Sequence, residues 1–218
     1  MSLTWVRIQS ILIRGVLKMS MPAISTRSGR RLYLHNPSPS QILIDDIAHG
    51  LAHQCRFNGQ TNKFYSVAQH SVIVASILPP ELKLAGLLHD AAEAYLGDIV
   101  QPLKELLPDF EAIESRFANV IGERFNVDLN HNAEVKRADL IALATERRDL
   151  MPMEIVEWES LAGINPLRRS INPLSPEKAK AEFIDCYLNL TLKKENKRSA
   201  KLNKSLFGSF LPRKLISL

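Results

Sequence analysis

Apolar residues along the chain recur three and four positions apart, which is the period of an amphipathic helix and not of a strand. Residues 40–55 show this spacing most plainly, at Ile44, Ile47, Leu51 and Cys55. The pattern and its interruptions predict further helices at residues 66–79, 80–96, Phe110–Phe125, Ala133–Leu150 and from Pro176 onward. We therefore predict an all-α domain, a bundle of about six or seven helices joined by short connections.

Several of the predicted helix ends carry capping residues. Ser66 and Gln69 are spaced as a capping box, so His70 should lie about one turn inside its helix. Asp109 and Asn132 are placed to cap the two helices that follow them. Outside these helices, we predict only two short regular elements, an extended segment at residues 31–34 and a short helix at residues 154–161.

Charge is distributed unevenly, and its distribution indicates where the domain begins and ends. The chain of 218 residues has a net charge of +5. Residues 1–18 carry three basic residues and no acid, and residues 192–218 carry eight Lys or Arg against Glu195, so the part between them has a net charge of −5. We expect an N-terminal extension outside the fold at residues 1–20, one domain at residues 21–191 and a solvated basic tail at residues 192–218.

Composition argues against several classes of protein. A mildly acidic core lacks the basic surface of a phosphate-backbone binder, so the core is not expected to bind nucleic acid. Arg7 and Arg14 interrupt the apolar N-terminus, which excludes a membrane span there. Cys55 and Cys186 stand far apart without metal-type spacing, which fits a cytoplasmic protein without disulfides.

The segment GLLHDAAEAYLGD, residues 86–98, has the apolar spacing of a buried helix but carries charge within it. His89, Asp90 and Glu93 lie where such a helix should be most apolar, and Asp98 follows Gly97, which should end the helix. Burying an ionised carboxylate without a partner is strongly unfavourable. The segment therefore requires a compensating charge, which a bound cation would supply.

The four histidines at positions 35, 49, 53 and 131 are predicted to be structural. His35 lies in turn-rich sequence, and His131 lies beside a predicted helix cap. His49 and His53 lie four residues apart on one helix, as in a zinc-binding helix, but Gly50 occupies the position where that motif has Glu. We interpret the pair as structural, with His53 at most on the rim of a site.

His70, His89, Asp90 and Asp139 form the candidate metal-binding set, because each occupies a position that the pattern predicts to be buried. Two imidazoles and two carboxylates suit an octahedral divalent ion with open positions, such as Mn²⁺, Co²⁺, Fe²⁺, Ni²⁺ or Mg²⁺. They suit a closed thiolate zinc site less well. A divalent ion would keep Asp90 ionised and both imidazoles neutral.

Three motifs, SVAQHSVIVA, LLHDAAEAYLGDIVQPLK and VKRADLIALATE, together resemble the H…HD…D pattern of the HD-domain metal-dependent phosphohydrolases. Residues 47–146 are most similar to the 5′-deoxynucleotidase-like branch, which includes prophage-borne hydrolases with FYSVAQH before the HD pair and ATERRDL after the last Asp. The resemblance extends more loosely over residues 28–187. It implies an HD-domain helical bundle with one divalent metal ion, whose ligands would be His70, His89, Asp90 and Asp139.

The resemblance also implies roles for residues around the metal. Glu93 and Asp98 match carboxylates that transfer protons or position water, and Arg56 matches a phosphate-binding residue. Phe57 matches a substrate-binding position where the better-known deoxynucleotidases have Trp, a ring linked to sugar selection. Because the chain departs from the family pattern there, the sugar preference stays open. Lys104 is expected either to approach a substrate phosphate or to be solvated, and the solvated state is slightly favoured.

These roles predict a hydrolase that releases phosphate from (deoxy)nucleoside 5′-monophosphates, with a small phosphoester as its partner and a homodimer left open. The alternatives are hydrolysis of a nucleoside triphosphate or another phosphoester, and a non-catalytic nucleotide-binding module. HD phosphodiesterases and oxygenases with two metals need further histidines, yet His131 is the one histidine between Asp90 and Asp139. Alarmone hydrolases have adjacent Glu and Asp after the HD pair, whereas here Ala94 follows Glu93.

Overall fold

Helices make up almost all of the regular structure. The computed structural model of the protein describes residues 22–130, 132–153 and 155–207, with side chains as far as residue 192. Within these ranges, six helices have six or more residues and two have four, which confirms the all-α bundle. The helices are α1 (Ile44–His53), α2 (Val67–Ile77), α3 (Lys83–Leu88), α4 (Glu93–Leu96), α5 (Gln101–Lys104), α6 (Phe110–Phe125), α7 (Ala133–Leu150) and α8 (Pro176–Phe207).

The described residues contain one short hairpin and, outside it, an isolated antiparallel bridge between Cys55 and Ser66. Strands β1 (Ala23–Ser25) and β2 (Arg31–Tyr33) pair antiparallel, with Ile24 opposite Leu32. The second strand coincides with the predicted extended piece. The short helix predicted at residues 154–161 is smaller than expected, because only Glu159–Leu161 forms a single 3₁₀ turn, and residue 154 lies outside the described residues.

Helix α2 lies at the centre of the bundle and contacts α1, α3, α7 and α8. Only half of the predicted capping box forms at its N-terminus, where Ser66 Oγ accepts a hydrogen bond of 3.3 Å from Gln69 N. The Gln69 side chain instead bonds the backbone of Asn172 and Leu174. Val67, Ala68 and Val74 are fully buried in the apolar core. Since His70 lies on this central helix, its ring is enclosed by the neighbouring helices.

The prediction of one continuous helix over residues 80–96 is wrong, because α3 ends at Leu88 and α4 begins at Glu93. Between them, Ala91 N donates to Leu88 O and Glu93 N donates to Asp90 O, a tighter spacing than that of an α-helix. The carbonyl of Gly86, which Asp90 N would use in a continuous helix, instead accepts His89 Nδ1 at 2.8 Å. A polar side chain thus competes with the backbone and places the HD pair in a turn.

The bounds predicted for α6 and α7 are confirmed, but only one of the two predicted caps forms. Asn132 Oδ1 accepts hydrogen bonds from Glu134 N at 2.9 Å and Val135 N at 3.2 Å. Asp109 makes no side-chain cap, because its backbone is helical (φ −86°, ψ −9°) and not extended. The prediction that Asp109 caps α6 is therefore wrong.

Helix α8 runs beyond the predicted end of the domain at residue 191 and continues to Phe207. Residues 192–207 contain Lys, Arg, Glu, Ala and Leu without Gly or Pro, so helix propensity favours their continuation. This part of the predicted solvated tail is helical. The predicted N-terminal extension lies outside the described residues. No helix among the described residues is both long and apolar enough to cross a membrane.

A glycine controls how closely α1 approaches α4, the short helix that begins with Glu93. A Cβ atom at Gly50 would lie 2.8 Å from the backbone oxygen of Ala94. Because backbone atoms cannot yield as a flexible side chain can, the glycine sets the position of α4 and of Glu93.

We expect Gly50→Ala to lower the free energy of unfolding by about 1–3 kcal/mol, because the added methyl overpacks this contact. Helix propensity alone predicts the opposite sign, a gain of about 1 kcal/mol. Equilibrium unfolding in urea distinguishes the two. A stabilised variant would show that α1 and α4 are not in close contact.

Candidate metal centre

Two imidazoles meet at the centre of the bundle with their Nε2 atoms 3.4 Å apart. His70, on α2, donates its Nδ1 hydrogen to Glu146 Oε1 at 2.6 Å. His89, just after α3, donates its Nδ1 hydrogen to Gly86 O at 2.8 Å. If both rings are neutral and carry their hydrogen on Nδ1, the Nε2 lone pairs face each other and repel. A cation between the two Nε2 atoms would remove this repulsion by binding both lone pairs.

Carboxylate oxygens complete the cluster around these nitrogens. Asp90 Oδ2 lies 3.2 Å from His89 Nε2 and 3.4 Å from His70 Nε2. Asp139, on α7, places Oδ1 3.4 Å from His70 Nε2. Ligand atoms at about 2.0–2.2 Å from one ion lie about 3–3.5 Å from one another. His70, His89 and Asp139 have donor atoms within 4.8 Å of one another, close enough to hold a metal ion.

Charge within the cluster agrees with this chemistry. Burial and Arg56 lower the pKa of His70, but Glu146, Asp139 and Asp90 outweigh them and raise it well above its usual value. Burial raises the pKa values of Asp90 and Asp139, but the two histidines outweigh it and lower both. Without a metal, the site therefore attracts a proton. A bound cation would take the place of that proton.

Glu146 is a buried residue of the site that the sequence analysis did not identify. Besides His70, it accepts a hydrogen bond of 2.8 Å from Tyr65 OH at the same Oε1 atom. The signal that could have found it is its spacing from Asp139. The two residues lie seven positions apart on α7, which places them two turns apart on one helix face. Glu146 fixes the His70 ring in the orientation that a metal ligand needs.

Arg56 is more enclosed than a typical phosphate-binding arginine. Its Nη2 atom lies 3.1 Å from Glu146 Oε2 and its Nη1 atom 3.7 Å from Asp90 Oδ2, and only 11% of its side chain is exposed. Burial lowers its pKa, but these two carboxylates outweigh that effect and raise it. Its buried Nε atom has no hydrogen-bond partner. Arg56 thus joins the Glu146 and Asp90 carboxylates, and its buried Nε donor is left unpaired.

Glu93 lies beside the cluster with one oxygen paired and one unpaired. Its Oε1 atom lies 3.6 Å from Lys104 Nζ, while the buried Oε2 atom has no hydrogen-bond partner. Burial, Asp90 and Asp98 raise its pKa well above the usual value. The expectation that Lys104 is solvated is wrong, because its ammonium donates to Glu114 Oε1 at 2.6 Å and its side chain is 23% exposed.

Asp98 and Phe57 occupy the periphery of the site. Asp98 follows Gly97, whose φ of +90° suits glycine. Burial raises the pKa of Asp98, and Arg56 opposes the shift. Phe57 has a left-handed backbone (φ 55°) and packs its ring near Arg56 and Trp158, with the Trp158 ring centroid 6.2 Å away. Asp98 therefore shares the electrostatic environment of the cluster. Phe57 lies on the side of the site that faces Trp158.

The described histidines outside the cluster have structural contacts. His49 and His53 stack with ring centroids 4.0 Å apart, and His53 Nδ1 donates to the backbone oxygen of His49. The backbone oxygen of His35 accepts a hydrogen bond from Arg116. Residue 131 lies outside the described residues. The contacts of His49 and His53 therefore agree with the structural roles predicted for them.

We expect Glu146→Gln to weaken Mn²⁺ binding by about 10- to 100-fold, because the amide polarises His70 less than the carboxylate does. Tyr65→Phe removes only the hydroxyl donor to Glu146 and should have a smaller effect. Calorimetric titration with Mn²⁺ measures both, and circular dichroism checks that each variant is folded. Equal affinity in folded Glu146→Gln and wild-type protein would rule out this supporting role.

Comparison with known proteins places the chain among uncharacterized relatives. No protein-family model matches it. It is 37% identical over 148 residues to an uncharacterized protein of Rhodobacter capsulatus, covering 63% of this chain and 72% of that protein. It is 42% identical over 173 residues to the uncharacterized protein YfdR of Escherichia coli K12, covering 78% of this chain and 97% of YfdR. The chain belongs to the YfdR family.

Proposed function

We propose that the protein is an HD-type metal-dependent phosphohydrolase that releases phosphate from nucleoside 5′-monophosphates. The observation that carries the proposal is the convergence of His70, His89 and Asp139, whose donor atoms lie within 4.8 Å of one another. The buried, unpaired oxygen of Glu93 beside this cluster supports it further. A purely structural metal site would not need an additional carboxylate in this position.

The donor set fits a divalent ion with open coordination positions. His70, His89, Asp90 and Asp139 would hold it, and Glu146 and Gly86 O would keep the two rings oriented. When bound, such an ion supplies Lewis acidity toward a phosphoryl oxygen and lowers the pKa of water. The protein contributes a rigid arrangement, since the His70 ring is fully buried and hydrogen-bonded.

Glu93 is suited to accept or donate the proton in hydrolysis. Its pKa is raised toward neutral pH, and a general acid or base works best when its pKa is near the pH of the reaction. Lys104 positions Oε1 and leaves Oε2 available for a water molecule or for the leaving 5′-oxygen. Asp98, whose pKa is also raised, would take the other proton transfer.

Substrate recognition is proposed to involve Arg56 and Phe57. Arg56 has an unpaired Nε donor close to the cluster, and hydrogen bonds from guanidinium to phosphate are strong. The Phe57 ring lies next to this guanidinium, with a distance of 5.3 Å from Cζ to the ring centroid. Phe57 would then contact the sugar or base of a nucleotide whose phosphate approaches Arg56.

The proposal is tested by measuring phosphate release from ribo- and deoxynucleoside mono- and triphosphates, after removal of metal and addition of Mn²⁺, Co²⁺ or Mg²⁺. We expect metal-dependent release from monophosphates and none from His89→Ala, which removes one nitrogen ligand. Release mainly from triphosphates would change the substrate class. Metal binding with no release from any nucleotide would favour a different phosphoester or a nucleotide-binding module.

A second variant in the same assay separates proton transfer from metal binding. Glu93→Gln should lower kcat by about 10²- to 10⁴-fold, the usual contribution of a general acid or base, while the protein still binds metal. Glu111→Gln, an exposed substitution on α6, is the matched control and should retain full activity. Unchanged turnover in Glu93→Gln would exclude Glu93 from the reaction.

A further inference from the structure

A cavity of about 200 Å³ lies beside the metal cluster, on the side formed by α7 and the chain that precedes it. The candidate ligands His89, Asp90 and Asp139 form part of its wall. The other lining residues are Ala85, Asp128, Leu129, Asn132, Val135 and Lys136. A group bound in this cavity would therefore contact residues of the metal cluster directly.

The cavity is acidic except at one residue. Asp128, Asp90 and Asp139 contribute carboxylates, and Lys136 is the one Lys or Arg among its described lining residues. An anion entering beside three carboxylates is repelled unless cations offset them. A bound divalent ion would offset part of this charge, and Lys136 is placed to offset more.

Lys136 and the metal cluster share one carboxylate. Asp139 directs Oδ1 toward His70 Nε2, at 3.4 Å, and Oδ2 toward Lys136 Nζ, at 3.1 Å. The Lys136 ammonium therefore lies on the cavity side of a candidate metal ligand. A phosphoryl group that approached the cluster through the cavity would come within reach of this ammonium.

The Lys136 side chain is free to change partners. It is 70% exposed, and ion pairs in this setting contribute little to stability. Its flexible four-carbon chain allows Nζ to move from Asp139 toward a bound anion at low cost. Arg56 differs, because it is buried between Glu146 and Asp90. The two cations thus differ in mobility. Arg56 is held by two carboxylates and can offer a phosphate only its unpaired Nε, whereas Lys136 can move to meet a ligand from solvent.

We propose that Lys136 binds a phosphoryl oxygen of the substrate in this cavity. The inference rests on the proposed phosphohydrolase function and adds a substrate-binding residue to it. The lysine acts as a point charge, as lysines commonly do toward phosphate.

The test uses full-length Mn²⁺-loaded protein and inorganic phosphate as the probe, with binding measured by calorimetry. Lys136→Ala should weaken phosphate binding by about tenfold, the effect of losing one charged hydrogen bond. Lys136→Arg should restore most of the affinity. Arg137→Ala is the matched control, since this exposed neighbour has the same charge and is not among the described residues that line the cavity.

Two further measurements separate the explanations. Mn²⁺ affinity should be the same in Lys136→Ala and wild-type protein. A loss of Mn²⁺ affinity in Lys136→Ala would mean that Lys136 acts only through Asp139, and it would overturn the proposal. Equal phosphate affinity in Lys136→Ala and wild type, or an equal loss in Arg137→Ala, would overturn it as well.

The proposed function can fail independently of this inference. If wild-type protein hydrolyses no nucleotide but binds phosphate through Lys136, the phosphate site stands and the nucleotidase proposal fails. If wild-type protein releases phosphate from nucleoside monophosphates and Lys136→Ala leaves KM unchanged, the inference about Lys136 fails alone.

Discussion

The buried hydrogen bond from His70 Nδ1 to Glu146 Oε1, 2.6 Å long, determines which nitrogen of His70 faces the cluster. By occupying Nδ1, Glu146 leaves the Nε2 lone pair directed at His89, Asp90 and Asp139. A neutral partner could not also offset the charge of Arg56. The single carboxylate therefore orients a candidate metal ligand and balances the guanidinium that reaches toward Asp90.

A second local constraint places His89 opposite His70. His89 Nδ1 takes the carbonyl of Gly86 that would otherwise continue α3, so the helix ends and the chain turns before α4. The turn brings Asp90 beside both histidines and directs Glu93 to the side held by Lys104. Close packing of α1 on α4 at Gly50 then fixes the position of α4, the helix that begins with Glu93. Backbone and side-chain hydrogen bonds together build the site.

The features predictable from sequence were those set by short-range signals. Asn132 caps α7, and the bounds of α6 and α7 follow from apolar spacing. His70, His89 and Asp139 come close enough to hold a metal ion, and Asp90 lies against both histidines. The remaining features depend on contacts between distant segments. Lys104 is held by Glu114 from another helix, and no local pattern distinguishes a lysine held in this way from a solvated one.

Glu146 illustrates a signal that was present but ambiguous. In ATERRDL it lies among charged residues that are usually solvent-exposed, and only its spacing from Asp139 marks the buried face. The break between α3 and α4 was not predictable in the same way, because the apolar spacing continues through it. The competition between the His89 side chain and the backbone for the Gly86 carbonyl depends on where these groups lie in the folded chain.

The proposed chemistry depends on one divalent ion that is bound by the nitrogens of both His70 and His89. Electron spin echo spectroscopy of the Mn²⁺-loaded protein tests it directly, because imidazole nitrogens bound to Mn²⁺ modulate the echo. We expect one Mn²⁺ per chain with modulation from two histidine nitrogens, reduced to one in His89→Ala. Bound Mn²⁺ without nitrogen modulation, or with the same modulation in His89→Ala, would contradict it.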